Sequence, residues 1–124
     1  GLGHLLGLDV HDMEDLGDRA GYAQGRKRSQ AFGLGYLRLD RDLAPGMAVT
    51  IEPGLYFVPA ILDDPTRRAT VGDRVDWHRV ELFRRVRGIR IEDDVIVTES
   101  GVEVLTLALP RAPEAIEALV SSGT

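Results

Sequence analysis

Three residues stand where side-chain type and setting together permit metal chemistry. His4 lies in a glycine-rich opening, GLGHLLGLDVHD. Glu52 closes an alternating segment directly before Pro53-Gly54, and Glu92 sits inside the otherwise apolar run around GIRIEDDVIV. Imidazole nitrogen and carboxylate oxygen are the donors that hold Zn, Mn, Co or Fe. The chain has no cysteine, so any metal must be held by His, Asp and Glu, and disulfide frameworks are excluded. A charge inside a sheet element is costly unless it is paired or bound to a metal, which marks Glu52 and Glu92 as parts of a site. No phosphate-binding glycine loop is present, because GLGH lacks the lysine and hydroxyl that follow in such loops.

The elements that must position these residues can be read from periodicity. Met47, Val49 and Ile51 alternate with Ala48, Thr50 and Glu52, which predicts a strand with one apolar side, entered from the turn Pro45-Gly46 and broken by Pro53-Gly54. A second alternation, Ile89 to about Thr98, predicts another strand, with Arg90 and Glu92 on one face. Glu99-Ser100-Gly101 then reads as a hairpin turn into Val102 to Thr106. Asp76 is placed to cap a short helix from Trp77 to Arg85, and Pro113 to Val120 has proline in its first turn. Met13 to about Gly35 reads as a long surface loop whose cluster Arg26, Lys27 and Arg28 forms a solvated patch. Two prolines and mixed charges give Pro59 to Gly72 as loop, and His78 beside Trp77 as a packing or surface residue. The fold class is α+β, a curved antiparallel sheet with few helices.

Composition bounds the rest. With 44% hydrophobic and 28% charged residues, the chain is of globular type, and no run of about 18 apolar residues predicts a membrane-spanning helix. Fifteen basic against twenty acidic residues leave a net charge of −5, the wrong sign for a general nucleic-acid binder. The chain opens on Gly and enters a motif at once, as expected of a fragment or processed product.

Three blocks in order, GHLLGLDVHD, LAPGMAVTIEPGLYF and RGIRIEDDVIVTESGVEVLT, resemble the C-terminal half of the catalytic domain of the Xaa-Pro peptidases. This metallopeptidase family has the pita-bread fold and includes prolidase and aminopeptidase P types. The resemblance implies that residues 1–124 are the C-terminal part of that domain, with His4 as a metal ligand, Glu52 as terminal carboxylate ligand and proton acceptor, and Glu92 as the carboxylate bridging two ions. It also implies a substrate-binding role for His11 and a supporting catalytic role for Arg90; the residues flanking His11, Asp9 and Asp12, are read either as orienting partners of its ring or as structural. Arg38, in YLRLDRDLAPGM, matches the arginine with which prolidases grip the free carboxylate of a dipeptide, a group a guanidinium can bind through two parallel hydrogen bonds. The implied cofactor is a pair of divalent ions, Mn2+ first and Co2+, Zn2+ or Fe2+ as alternatives. Two of the family's five ligands, both aspartates, are expected ahead of Gly1, so the fragment alone is expected to be inactive. The remaining expectations are a proline-containing dipeptide or short peptide as substrate, a homodimer, a cytoplasmic location and no nucleic-acid or membrane partner. The alternatives are aminopeptidase P activity on longer peptides and a non-catalytic pita-bread binding module.

Overall fold

The computed structural model describes residues 1–123 and divides into two compact units, one formed by Gly1–Pro53 with the chain from Ile91 onward and the other by Gly54–Arg90. The first unit is built on a three-stranded antiparallel sheet in the order β1-β4-β5, where β1 is Ala48–Ile51, β4 is Asp93–Thr98 and β5 is Gly101–Val104. β1 runs against β4 from Ala48↔Ile96 to Ile51↔Asp93, and β4 turns into β5 through the expected hairpin, with Thr98 opposite Gly101.

The glycine-rich opening lies along the other edge of β1. Glu52 N donates to Leu2 O at 2.8 Å, Thr50 N to His4 O at 3.0 Å and Leu6 N to Ala48 O at 3.0 Å, with Leu5 bridged antiparallel to Val49. Gly3 is required for this approach, because a Cβ there would stand 2.0 Å from the carbonyl oxygen of Thr50. β1 is therefore flanked on both sides. Val49 and Thr50, which point to opposite faces, are each only 1% exposed, and with Val95 and Tyr22 they form the buried centre. The expected one-sided alternation thus gives way to burial of both faces here, while Ile51 is exposed.

The segment from Met13 to Gly35 is more ordered than a plain loop. It contains a 3-10 turn at Glu14–Leu16 and helix α1 at Asp18–Gly21. The basic cluster is also not simply a solvated patch. Arg26 pairs with Asp40, while Arg28 donates to Asp18 Oδ1 at 2.8 Å and to the carbonyls of Gly35 and Leu37 at 3.2 and 3.1 Å. Arg28 also lies over the ring of Tyr22, whose hydroxyl donates to Leu37 O at 2.8 Å. These bonds satisfy carbonyls that an irregular segment leaves without ladder partners. Helix α5, Pro113–Ser122, forms where the proline-led apolar pattern places it.

The second unit pairs β2, Gly54–Tyr56, antiparallel with β3, Gly88–Arg90. The stretch expected to be loop instead forms α2, Pro59–Leu62, and α3, Pro65–Val71. Both prolines occupy first-turn positions, where the missing N–H and fixed φ favour a helix start, and Asp64 caps α3 by accepting from the N–H groups of Thr66 and Arg67. Asp76 caps α4, Trp77–Phe83, as expected, and His78 is exposed on it. Among the described residues no helix is long and apolar enough to cross a membrane.

A further difference concerns the strand expected from Ile89 to Thr98. It is two strands, β3 and β4, separated by Ile91 and Glu92. Opposite this break β1 stops before Glu52-Pro53, and Ile91 N donates to Pro53 O at 3.2 Å. Proline has no N–H to continue a ladder, so the pairing is interrupted where both carboxylates stand.

Candidate metal centre

His4, Glu52 and Glu92 come together in the first unit. Each offers one ligand atom, and the three atoms all lie within 4.8 Å of one another. No other group of three His, Asp or Glu side chains among the described residues has this arrangement. Sequence separation is bridged by the strand pairing already described: the edge segment carries His4, and Glu52 and Glu92 follow and precede the paired strands β1 and β4.

The histidine is held in one orientation. Its ring is buried, its Nδ1 is 2.9 Å from the carbonyl oxygen of Leu5, and its backbone N–H donates to Thr50 Oγ1 at 3.0 Å. A carbonyl can only accept, so Nδ1 carries a proton, which leaves Nε2 as the ring position able to bind a metal. That Nε2 faces Glu52 Oε1 at 3.4 Å. The Thr50 hydroxyl, accepting from His4 N–H, donates to the same carboxylate oxygen at 3.4 Å. Thr50 thereby orients both candidate ligands.

This donor set fits a divalent cation. Two acidic oxygens within 4.8 Å repel by roughly 1 kcal/mol in bulk water and about 3 kcal/mol at an effective dielectric of 20. A cation shared by the three atoms converts these repulsions into attraction, and a histidine whose other nitrogen donates to a carbonyl is the arrangement in which imidazole usually ligates.

The expected substrate residues divide between the two units. In the first, the rings of His4 and His11 meet edge to face, with centroids 4.5 Å apart. His11 Nδ1 is 3.3 Å from Glu14 Oε2, and Glu14 Oε1 accepts from Arg38 Nε at 3.2 Å. His4, His11, Glu14 and Arg38 line one small cleft. The carboxylate at Nδ1 of His11 is thus that of Glu14, whereas the flanking Asp9 and Asp12 were the orienting partners considered from sequence. Glu14 escaped that reading because an i,i+3 glutamate in a polar stretch carries no distinguishing pattern. Its signal was the spacing from His11, which the 3-10 turn converts into proximity.

In the second unit, Arg90 ends β3, with its guanidinium 5.5 Å from the ring centroid of Tyr56. Tyr56 also packs where Gly88 lacks a side chain, a Cβ there falling 2.5 Å from the ring. Arg90 and Glu92 do not share one strand, since the break at Ile91 intervenes.

Comparison with known proteins agrees with this architecture. The model of metallopeptidase family M24 matches residues 1–99. The Xaa-Pro dipeptidase of Homo sapiens is 45% identical over 125 residues, covering 98% of this chain and 23% of the human protein. That of Stenotrophomonas maltophilia (strain R551-3) is 48% identical over 109 residues, covering 86% of this chain and 23% of the relative. Among solved structures, Zn-substituted E. coli aminopeptidase P in complex with product superposes with a TM-score of 0.55 at 35% identity, covering all of this chain and 20% of that one. The Pseudomonas aeruginosa aminopeptidase PepP gives 0.55 at 38% identity, covering 98% and 20%. The chain therefore spans about a quarter of the length of the curated relatives it matches. Its antiparallel sheets are part of the pita-bread fold, with matches to dipeptidases and aminopeptidases across nearly all of its residues. On the match of residues 1–99, the chain belongs to metallopeptidase family M24, whose members work with divalent metal ions.

Proposed function

We propose that the whole protein carrying this chain is a dinuclear metal-dependent Xaa-Pro dipeptidase of the prolidase type, and that residues 1–124 are the C-terminal part of its catalytic domain. The observation that carries this reading is the convergence of His4, Glu52 and Glu92 within 4.8 Å, beside a cleft that also holds His11 and Arg38. Similarity to dipeptidases from human and bacterial sources over most of the chain supports the choice of substrate.

In this reading His4 Nε2, Glu52 and Glu92 would hold the divalent ions, with Glu92 the carboxylate that would serve both, and residues outside this chain would complete the set. Three donors are too few to hold a pair of ions, so the chain by itself is inactive. Bound divalent ions supply Lewis acidity, acidifying an attacking water and polarising the scissile carbonyl. Glu52 accepts the proton of that water on a carboxylate oxygen and passes it to the departing proline nitrogen. His4 must be unprotonated to ligate, so acid opposes assembly of the site. His11 steadies the substrate beside the scissile bond, Arg90 takes the supporting catalytic role that the family likeness implies, and the Arg38 guanidinium receives the free carboxylate of the dipeptide. Mn2+ is the first assignment for the metal, since a carboxylate-rich set suits hard cations. A homodimer working in the cytoplasm completes the proposal.

Aminopeptidase P activity on longer peptides is the second reading, favoured by the solved structures that this chain resembles. A non-catalytic binding module fits less well, because His4, Glu52 and Glu92 are all retained together as a possible donor set. The test is hydrolysis of Gly-Pro against a Gly-Pro-Xaa tripeptide by the whole protein loaded with Mn2+. Dipeptide turnover that Arg38→Ala depresses while sparing the tripeptide is the expected result. Preference for the tripeptide, unchanged in Arg38→Ala, supports aminopeptidase P instead, and no turnover of either overturns both enzymatic readings.

A further inference from the structure

Among the described residues, Glu14 touches both of the substrate residues in the cleft. Its two carboxylate oxygens divide between them: Oε2 lies 3.3 Å from His11 Nδ1, and Oε1 accepts from Arg38 Nε at 3.2 Å. The backbone brings it there through Met13, a non-glycine residue at φ 58°, after which the 3-10 turn begins with Glu14. Stability alone is a poor explanation of the arrangement. The side chains of His11, Glu14 and Arg38 are 38%, 49% and 43% exposed, and ion pairs so open to water contribute little to folding.

The chemistry of the three groups points instead to positioning. A guanidinium has five N–H donors in a rigid fork. Engagement at Nε fixes the plane of the fork and leaves its two terminal amino groups for a second carboxylate, which they can bind through two parallel bonds. A carboxylate at His11 Nδ1 likewise holds the proton on that nitrogen and leaves Nε2 for the substrate. The His11 ring, packed edge to face on that of His4, links this arrangement to the metal trio.

We infer that Glu14 is a positioning residue for substrate capture, holding Arg38 by Nε and His11 by Nδ1 so that the free carboxylate of a dipeptide is bound in register with the metal centre. This rests on the dipeptidase reading for the role of Arg38, and it adds a residue that determines specificity for a free carboxylate over a blocked one. Glu14 itself does not touch the substrate.

The experiment compares wild type, Glu14→Gln, Glu14→Asp and Glu14→Ala in the whole protein, with Gly-Pro and its carboxamide Gly-Pro-NH2. Calorimetric binding of both ligands to the metal-free protein is measured beside Mn2+-dependent hydrolysis. Glu14→Ala is expected to weaken Gly-Pro binding and raise its KM about tenfold, while binding of Gly-Pro-NH2 changes less than twofold. Glu14→Asp should recover part of the loss, and Glu14→Gln should keep the native unfolding midpoint yet lose the preference for the carboxylate. Equal effects on the two ligands, or no effect on Gly-Pro binding, would overturn the inference. If wild type binds Gly-Pro in a Glu14-dependent way without hydrolysing it, the positioning role stands and the dipeptidase reading falls. If it hydrolyses Gly-Pro with no dependence on Glu14, the reverse holds. Failure of wild type to distinguish Gly-Pro from its carboxamide overturns the role of Glu14 together with that of Arg38.

Discussion

Gly3→Ala perturbs the centre without removing any donor atom. The new methyl carbon would stand 2.0 Å from Thr50 O and 3.1 Å from Thr50 C, both backbone atoms with no flexible end to swing away. Ordinary contact begins near 3.4 Å, so the edge segment must retreat from β1 by more than about 1 Å. Bonds now at 2.8 to 3.0 Å, from Glu52 N to Leu2 O, from Thr50 N to His4 O and from His4 N to Thr50 Oγ1, would then exceed hydrogen-bonding range. At about 1 kcal/mol each, their loss amounts to roughly 3 kcal/mol of stability. The same retreat carries His4 Nε2 away from Glu52 and Glu92, and disturbing the support of a ligand commonly costs 10–100-fold in metal affinity. We expect the whole protein with Gly3→Ala to bind Mn2+ about 100-fold more weakly in calorimetry and to unfold at lower denaturant. Gly101→Ala serves as the control, because nothing lies within 4 Å of its Cβ position. Metal affinity for Gly3→Ala within threefold of wild type, with an unchanged unfolding midpoint, would refute the claim that strand pairing positions the histidine.

Two further predictions address other parts of the first unit. Thr50→Val keeps the shape of a 1% exposed side chain but leaves the His4 N–H without its acceptor, so we expect a loss of about 1–3 kcal/mol in denaturant unfolding and weaker Mn2+ binding, whereas an effect confined to the surface would leave both unchanged. Asp93 accepts from Arg111 Nε at 2.8 Å and from Thr106 Oγ1 at 2.6 Å, and Arg111 first, then Thr106, hold its carboxyl below the usual value near 3.8. Its stabilising contribution is present above that value and is lost as pH falls through the lower folded value. Asp93→Asn should therefore unfold more easily than wild type at pH 7, with the difference closing below about pH 4. A gap that persists in acid would contradict the pairing.

The sequence made the paired strands and the hairpin legible because period-two alternation and turn residues coincide at Met47 to Gly54 and at Thr98 to Gly101. Asp76 was legible as a cap, but the equally effective Asp64 was not, since its Pro65 was read as a breaker although it stands at a first-turn position. The interruption at Ile91–Glu92 was hidden for a different reason. Its cause lies partly across the sheet, at Pro53, and a single strand's periodicity contains no information about the neighbour's missing donor. The candidate metal donors stand out in the sequence as types in unusual settings and as matches to a family pattern. Their convergence depends on two non-local pairings, of the opening segment with β1 and of β1 with β4, so spacing alone could not supply it. Arg28 and Glu14 were missed because loop-ordering bonds to carbonyls and to other loop residues follow no period.

The central claim is that His4, Glu52 and Glu92 hold the metal. Anomalous X-ray diffraction from crystals of the whole protein loaded with Mn2+ measures this directly. The account predicts two anomalous peaks, one within about 2.0–2.3 Å of His4 Nε2 and of a Glu52 oxygen, with Glu92 oxygens reaching both ions. Mn2+ peaks that leave His4 and both glutamates without a metal bond would contradict it.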